Sequence, residues 1–350
     1  MFKNFFMGIA AMAALTLVSC SSDDLNSLSD TPSKNEAISF DSYLGRSAVS
    51  VNGSRGSALT KTALQGLTEG FGVFGNYKNA EGLEFGSNWF DNVKVTYSST
   101  DTKWKYSPDQ YWLPQGHIDF LAYAPYDSKY DTKVTKDNQK LDFTVNSIIK
   151  DQKDLLWANA TNQTKANNPV TFTFNHALAK IGYTVKTNVV GTTTITLNKI
   201  TLAGSTTDPA TGAFYTDGTI DLSKDLSKAD DATVLWTSCT GKQYFTWFNG
   251  SQSLTSTSES NPETDYLFVI PQNFSTGTDE LYVIVDYTIN YNTGVTATMT
   301  NKVYKKLEKN FEQGKAYTIN LSLGLTPIEF NVTTVEGWTD INQGEINSWN

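Results

Sequence analysis

The sequence predicts an all-β protein, and three observations carry that prediction. Apolar and polar residues alternate with period two through most of the chain, as a strand does when one face packs on a core. Strand-forming residues are plentiful, with 17 Tyr against only 4 Met. No long stretch spaces its apolar residues at the 3.6-residue period of a helix. Antiparallel sandwiches are the expected architecture. At about 100–200 residues per domain, a chain of 350 residues suggests two of them, or one large one.

The elements follow in order. Ile38, Phe40 and Leu44 alternate like one face of a strand, with Ser42 interrupting. Gly45-Arg46-Ser47 and Gly53-Ser54-Arg55-Gly56 then break the pattern. Phe71 and Val73 alternate with glycines, which suits a strand packed closely against a neighbour. Ile118, Phe120, Ala122 and Ala124 form a face before Pro125, and Val170, Phe172 and Phe174 form another after Pro169. His176 to Lys180 makes at most one helical turn, and a fresh strand runs from Ile181 to Lys186. Between Leu197 and Ile200 the parity of Ile195, Leu197, Ile200 and Leu202 shifts by one, which predicts a bulge. Asp217–Asp231 is acidic and interleaved with Lys. It lacks the spacing of a calcium loop and is expected to be a solvated loop.

Further on, Val283, Val285, Tyr287, Ile289 and Tyr291 share one face of a strand. Val295, Ala297, Met299 and Val303 repeat the alternation, with Asn301 in the one polar slot, and Tyr317, Ile319, Leu321 and Leu323 follow. Pro327 cannot donate a ladder hydrogen bond and sets off Ile328–Val332 as a separate strand. The polar stretch from Asn159 to Pro169 places a boundary near residues 160–176. The expected division is a signal at 1–19, a tether at 20–36, and sandwiches at 37–174 and 175–350.

Composition narrows the function. Aromatics make up 13% of the chain, too many for a disordered protein. The 27 basic and 36 acidic residues give a net charge of -9, which argues against a nucleic-acid partner. Two Cys and two His exclude a disulfide scaffold and most multi-ligand zinc sites. No metal or cofactor is implied.

The amino terminus resembles an address. Lys3 supplies a positive start, and Phe5 to Val18 is an apolar run shorter than the ~20 residues of a spanning helix. The run ends Leu17-Val18-Ser19-Cys20, which resembles the lipobox of bacterial lipoproteins. That resemblance implies cleavage before Cys20 and a lipid on its thiol. The competing reading is a plain signal peptide with an incidental cysteine. Ser21-Ser22-Asp23-Asp24 opens a Ser/Asp/Asn-rich tether and is similar to the surface-export signal of lipoproteins in Bacteroidota. Cys239 is then the one remaining thiol, expected to be a small buried or half-buried residue.

Catalytic motifs fail on context. Gly70-Phe71-Gly72-Val73-Phe74-Gly75 fits G-x-G-x-x-G as text, but no helix start follows to hold a pyrophosphate. G-x-S-x-G, H-E-x-x-H and C-x-x-C do not occur. His117 and His176 read as structural. No catalytic residue is expected, and the chain is expected not to be an enzyme. Eight Trp leave a surface glycan-binding lipoprotein as the alternative, with Trp89, Trp104, Trp112, Trp236, Trp247 and Trp349 as stacking candidates.

The arginines are the informative residues. The chain has only Arg46 and Arg55, and small flexible residues flank both, as in a cleavable loop. A candidate strand is thereby joined to the body by a linker that holds every arginine.

The ordered set of motifs resembles the fimbrillin family, the subunits of type V pili. It comprises the lipobox, Ile38-Ser39-Phe40, Gly70–Phe74, Trp104-Lys105-Tyr106-Ser107-Pro108 and Tyr111-Trp112. Ile118–Tyr126, Asp154–Ala158, Val170–Ile181, Gly314–Ile319 and Trp338-Thr339-Asp340 complete it. The resemblance implies two transthyretin-like Greek-key sandwiches and export to the outer membrane as a lipoprotein. It implies an arginine-specific protease that cuts at Arg46, or at Arg55 as second candidate, and removes the lipid and the first strand. A strand from another pilin subunit then fills the groove, giving a surface fimbrium that supports adhesion. The donor comes from the C-terminal region, where Ile328–Val332 and Val335–Trp338 both qualify.

Overall fold

Strands dominate the computed structural model, which describes residues 36–44, 61–81, 89–225, 235–262, 265–292, 296–325 and 329–335. In chain order they are β1 (Phe40–Leu44), β2 (Phe71–Lys78), β3 (Phe90–Ser98), β4 (Lys103–Lys105), β5 (His117–Ala124), β6 (Lys140–Thr144), β7 (Leu156–Gln163), β8 (Val170–His176), β9 (Ala179–Thr187), β10 (Thr193–Ala203) and β11 (Asp217–Asp221). They continue as β12 (Trp236–Thr240), β13 (Phe245–Ser253), β14 (Glu259–Ser260), β15 (Leu267–Val269), β16 (Gln272–Asn273), β17 (Tyr282–Asn292), β18 (Thr296–Lys306), β19 (Asn310–Phe311), β20 (Ala316–Leu323) and β21 (Glu329–Val335). Among the described residues the one α-helix is α1, Lys61–Gly66.

A seven-stranded sheet has the order β1-β8-β7-β5-β2-β3-β4. A four-stranded sheet runs β13-β10-β17-β18, and a further sheet runs β14-β9-β20-β21 with β15 also on β9. Smaller sheets are β12-β11-β6 and β16-β19. Pairing is antiparallel except for β1 on β8 and β20 on β9.

The seven-stranded sheet serves two cores. Phe71, Val73, Phe120, Ala122, Leu156 and Ala158 point to one core, together with Ile38, Phe40 and Phe172. The intervening residues Phe74, Leu121, Tyr123 and Trp157 point to the other, which β9, β10, β17 and β20 complete. Strands β2 and β5 are therefore apolar on both faces, as strands buried on both sides must be. The period-two face at Ile118–Ala124 is real, but the residues between are buried as well.

That double burial explains Gly72. A Cβ there would meet the Tyr123 ring and lie 2.6 Å from Asn92 Oδ1. The Tyr123 hydroxyl lies 2.8 Å from Asn92 Oδ1 and 2.9 Å from the Asp127 carbonyl, and it accepts from the Asp127 N–H at 3.0 Å. Asn92 Nδ2 donates to the Asp127 carbonyl at 3.0 Å and to Asp131 Oδ1 at 2.6 Å. The glycine leaves room for a hydrogen-bonded corner under the β2–β5 wall.

Several expected elements stand as read. The bulge lies between Leu197 and Lys199 on both sides of β10. Strands β17 and β20 bury the expected faces, and β8 buries Val170, Phe172 and Phe174.

Two expectations are corrected. The acidic stretch from Asp217 does not begin as a solvated loop; β11 is the centre of the three-stranded sheet, pairing with β6 and β12. Gly218 and Ile220 form its buried face, and Ile220 has no exposure. Hydroxyls of Thr216 and Thr144 donate to the Asp217 carboxylate and hold its pKa below the usual value. Residues 226–231 of that stretch lie outside the described residues. The segment His176–Lys180 stays within the expected limit of one helical turn and makes none: β8 runs through His176 and β9 starts at Ala179. Ala177, Leu178 and Ala179 are fully buried, and the Ala177 N–H donates to the Leu155 carbonyl instead of to a helical partner. Among the described residues strand β18 pairs only with β17, and it lies largely exposed, with Met299 at 50% and Tyr304 at 60%. Edge position removes the second face that its alternation implied.

Burial also sets an alkaline limit. It pushes the phenols of Tyr183 and Tyr317 up to about 12, against an ordinary value near 10. Below pH ~10 both phenols are protonated folded or unfolded, and the stability is complete. Between pH ~10 and ~12 the unfolded chain gives up these protons while the folded chain holds them, so stability falls with rising pH. The expected loss is about 2–3 kcal/mol per tyrosine. A melting temperature that is flat between pH 9.5 and 11.5 would contradict it.

Candidate strand-acceptor groove

Alternation in the sequence places Ile38 and Phe40 inward, and the structure keeps both buried, at 2% and 5% exposure. Strand β1 lies at the rim of the seven-stranded sheet, parallel to β8, with Phe40 opposite Val170 and Ser42 opposite Phe172. The Val170 N–H donates to the Ser39 carbonyl at 2.8 Å. Just before β1, Ala37 bridges to Tyr111, and the Ile38 N–H donates to the Gln110 carbonyl at 2.8 Å.

The Phe40 ring fits an aromatic socket. Its centroid lies 5.6 Å from Phe90, 5.4 Å from Tyr106, 5.5 Å from Phe120 and 5.6 Å from Phe172. The Phe90 and Phe120 contacts are edge-on, the geometry that aromatic quadrupoles favour.

Two polar clamps hold the start of the strand. The Tyr106 hydroxyl donates to the Ile38 carbonyl at 2.8 Å, and burial pushes its phenol up to about 12. Asn168 Oδ1 accepts from the Ser39 N–H at 2.9 Å, while its Nδ2 donates to the Ala37 carbonyl at 3.1 Å. These clamps were not legible in sequence, since Asn168 lies 129 residues from Ser39. Ser42 is fully buried on the same inward face, and its Oγ has no hydrogen-bond partner among the described residues. The residue that interrupts the apolar pattern therefore occupies a core position.

The processing and lipidation residues, Arg46, Arg55 and Cys20, lie outside the described residues, as do the signal at 1–19 and the tether apart from Glu36. Strand β21 is antiparallel to β20 at the rim of its sheet, with Val332 opposite Ile319. Of the separate strand expected at Ile328–Val332, residues 329–332 lie in β21, paired with β20, and Ile328 lies outside the described residues. Residues 336–350, with Trp338 and Trp349, are outside the described residues.

The remaining candidates are structural. Residues 71–75 lie within strand β2, so no helix N-terminus stands behind these glycines. His176 Nδ1 lies 2.9 Å from Asp154 Oδ2, both side chains essentially buried, and His117 Nε2 lies 4.0 Å from Asp119. Cys239 is half-buried, and burial pushes its thiol pKa up, away from nucleophilic use. Trp104, Trp112 and Trp247 are buried, and Trp236 packs against the second core with its Nε1 donating to Ala177. Among the described stacking candidates, only Trp89 is exposed.

Residues 58–338 match the fimbrillin-like family. The fold is similar to that of a fimbrial protein from Bacteroides vulgatus, at 22% identity and a TM-score of 0.61, covering 87% of this chain and 99% of that one. It is also similar to a putative cell adhesion protein from Bacteroides ovatus, at 16% identity and a TM-score of 0.51, covering 88% and 99%. No curated protein matches the chain. The chain belongs to the fimbrillin-like family. It is accordingly a structural protein of a cell-surface fimbrium and not an enzyme.

Proposed function

We propose that the chain is a pilus subunit exported as a lipoprotein on Cys20 and polymerised by strand exchange after proteolysis. An arginine-specific protease cuts at Arg46 or Arg55. The lipid and β1 then leave the body, which until that cut is held at the outer membrane. The division of labour falls near residue 174, with 37–174 as the accepting sandwich and 175–350 as the donating one. A strand from another pilin subunit, of this chain or a related one, takes the vacated place.

The observation that carries this reading is β1 itself. Among the described residues it is an edge strand with one ladder partner, it supplies Ile38 and Phe40 to a core, and the arginine-bearing linker follows it directly in sequence. Its loss exposes an aromatic socket and the open edge of β8, which is the template for strand addition. Refilling the Ile38 and Phe40 places returns roughly 1.5–3 kcal/mol for each large side chain. A head-to-tail contact of this kind does not close on itself, so it propagates into a filament.

Treatment of the full chain with an arginine-specific protease tests the reading. The expected result is release of an N-terminal fragment, followed by species of increasing size that persist on gels without boiling. A cleaved protein that stays monomeric would overturn it and favour the glycan-binding alternative.

A further inference from the structure

Two segments of the chain share one pattern. Ile38-Ser39-Phe40-Asp41-Ser42 leads through β1, and Ile328-Glu329-Phe330-Asn331-Val332 leads through β21. Each reads Ile-x-Phe, then Asp or its amide. They differ in chemistry at the fifth position. There Ser42 puts a fully buried hydroxyl, unpartnered among the described residues, into an apolar core opposite Phe172. A buried polar group without a partner is unfavourable, whereas a buried β-branched apolar side chain is favourable. The slot suits Val332 better than it suits the residue that fills it.

Resting on the strand-exchange reading above, we infer that the tail of a second copy enters the β1 groove in one register. Ile328 takes the place of Ile38, Phe330 that of Phe40 and Val332 that of Ser42, in the same direction along β8. Asn331 then stands where Asp41 pairs with Thr171. The position of Ser42 makes β1 the weaker occupant and gives the exchange its direction. The donor leaves a place that holds it loosely. β21 is an edge strand on β20, Val332 is only partly buried, and Thr334 is exposed.

Disulfide trapping tests the register. Full-length chains carrying Cys239→Ser and Asn331→Cys also carry either Thr171→Cys or Thr173→Cys. Thr171 and Thr173 are both exposed on β8, so neither change disturbs the core. After arginine-specific cleavage and mild oxidation, the Thr171→Cys chains are expected to give a reductant-sensitive ladder on boiled gels. Strand neighbours lie within the Cα separation a disulfide spans, and a two-residue slip does not, so the Thr173→Cys yield should be at least about tenfold lower. Trapping through position 173 instead would overturn the register while leaving strand exchange intact. An unboiled ladder that neither pair traps would put a different segment in the groove and also overturn the inference. No ladder of any kind would overturn the exchange reading, and the register with it. Independently, Val332→Ser should weaken assembly by about tenfold or more, since it returns the slot to a hydroxyl. Unchanged assembly of Val332→Ser, with Ser42→Val equally without effect on release of cut β1, would refute the role of the slot.

Discussion

Arg46→Ala combined with Arg55→Ala is expected to abolish assembly and leave the fold untouched. The two positions are the whole arginine content of the chain, so the double variant offers an arginine-specific protease no site at all. Both arginines are read from the sequence as linker residues, and substitutions away from caps and cores cost within about ±0.5 kcal/mol, so melting should be unchanged. The intact variant should keep β1 on β8, with Ile38 and Phe40 in place, and stay monomeric on unboiled gels in the presence of protease. Of the single variants, Arg46→Ala is expected to have the larger effect, because Arg46 lies nearer the strand that must be freed. Efficient polymerisation of the double variant would show that cleavage at arginine is not the trigger.

Phe120→Ala should produce the largest loss of stability. Phe120 has no exposure and lies on β5, inside the seven-stranded sheet. Its ring meets Phe90 at 5.3 Å, Phe40 at 5.5 Å, and Trp112 and Phe172 at 6.4 Å. Truncation removes the common neighbour of these rings and leaves a cavity that the double-sided wall cannot collapse to fill. The expected cost is about 3–5 kcal/mol, a large share of the 5–15 kcal/mol that typically holds a protein folded. Urea denaturation should show the midpoint falling with the slope unchanged. A midpoint within experimental scatter of the parent would mean the socket is far softer than its packing implies.

Much of this was legible in the residues, for physical reasons that also mark where legibility stops. Period two betrays any strand with one wet face, and it located β8, β17 and β20 with their buried sides. The shifted parity at Leu197 located a bulge because an extra residue must flip every side chain after it. Alternation with glycine at Phe71–Val73 anticipated close packing, which Tyr123 and Asn92 supply. What failed was non-local. Nothing within Ile118–Ala124 says that a second core lies behind it, and nothing within Ala297–Val303 says that β18 is an edge strand among the described residues. Asp217 and Asp221 flank a buried Ile220 that becomes a strand centre only because β6 arrives from far upstream. In the groove, Ile38 and Phe40 were legible, whereas the Asn168 and Tyr106 clamps depend on tertiary approach. Ser42 was visible only as a break in a pattern, and its meaning came from burial.

The separation of β1 from its partner has a consequence in time. Chains are made and exported from the amino terminus, and β1 emerges first among the described strands. The residue that clamps Ser39 follows 129 positions later, and β20, which must lie on β9, follows its contact on that strand by 136. At ~5–20 residues per second, β1 waits roughly 6–26 seconds for β8 to be synthesised. Such distant parallel pairings are slow to form, since the loop must close before contacts reward it. Yet β8 is complete well before residues 329–335 exist. Emerging amino terminus first on the far side of the membrane, a subunit of the proposed kind can therefore close its own groove with β1 before its own tail has emerged, and order of emergence by itself disfavours a subunit capping itself.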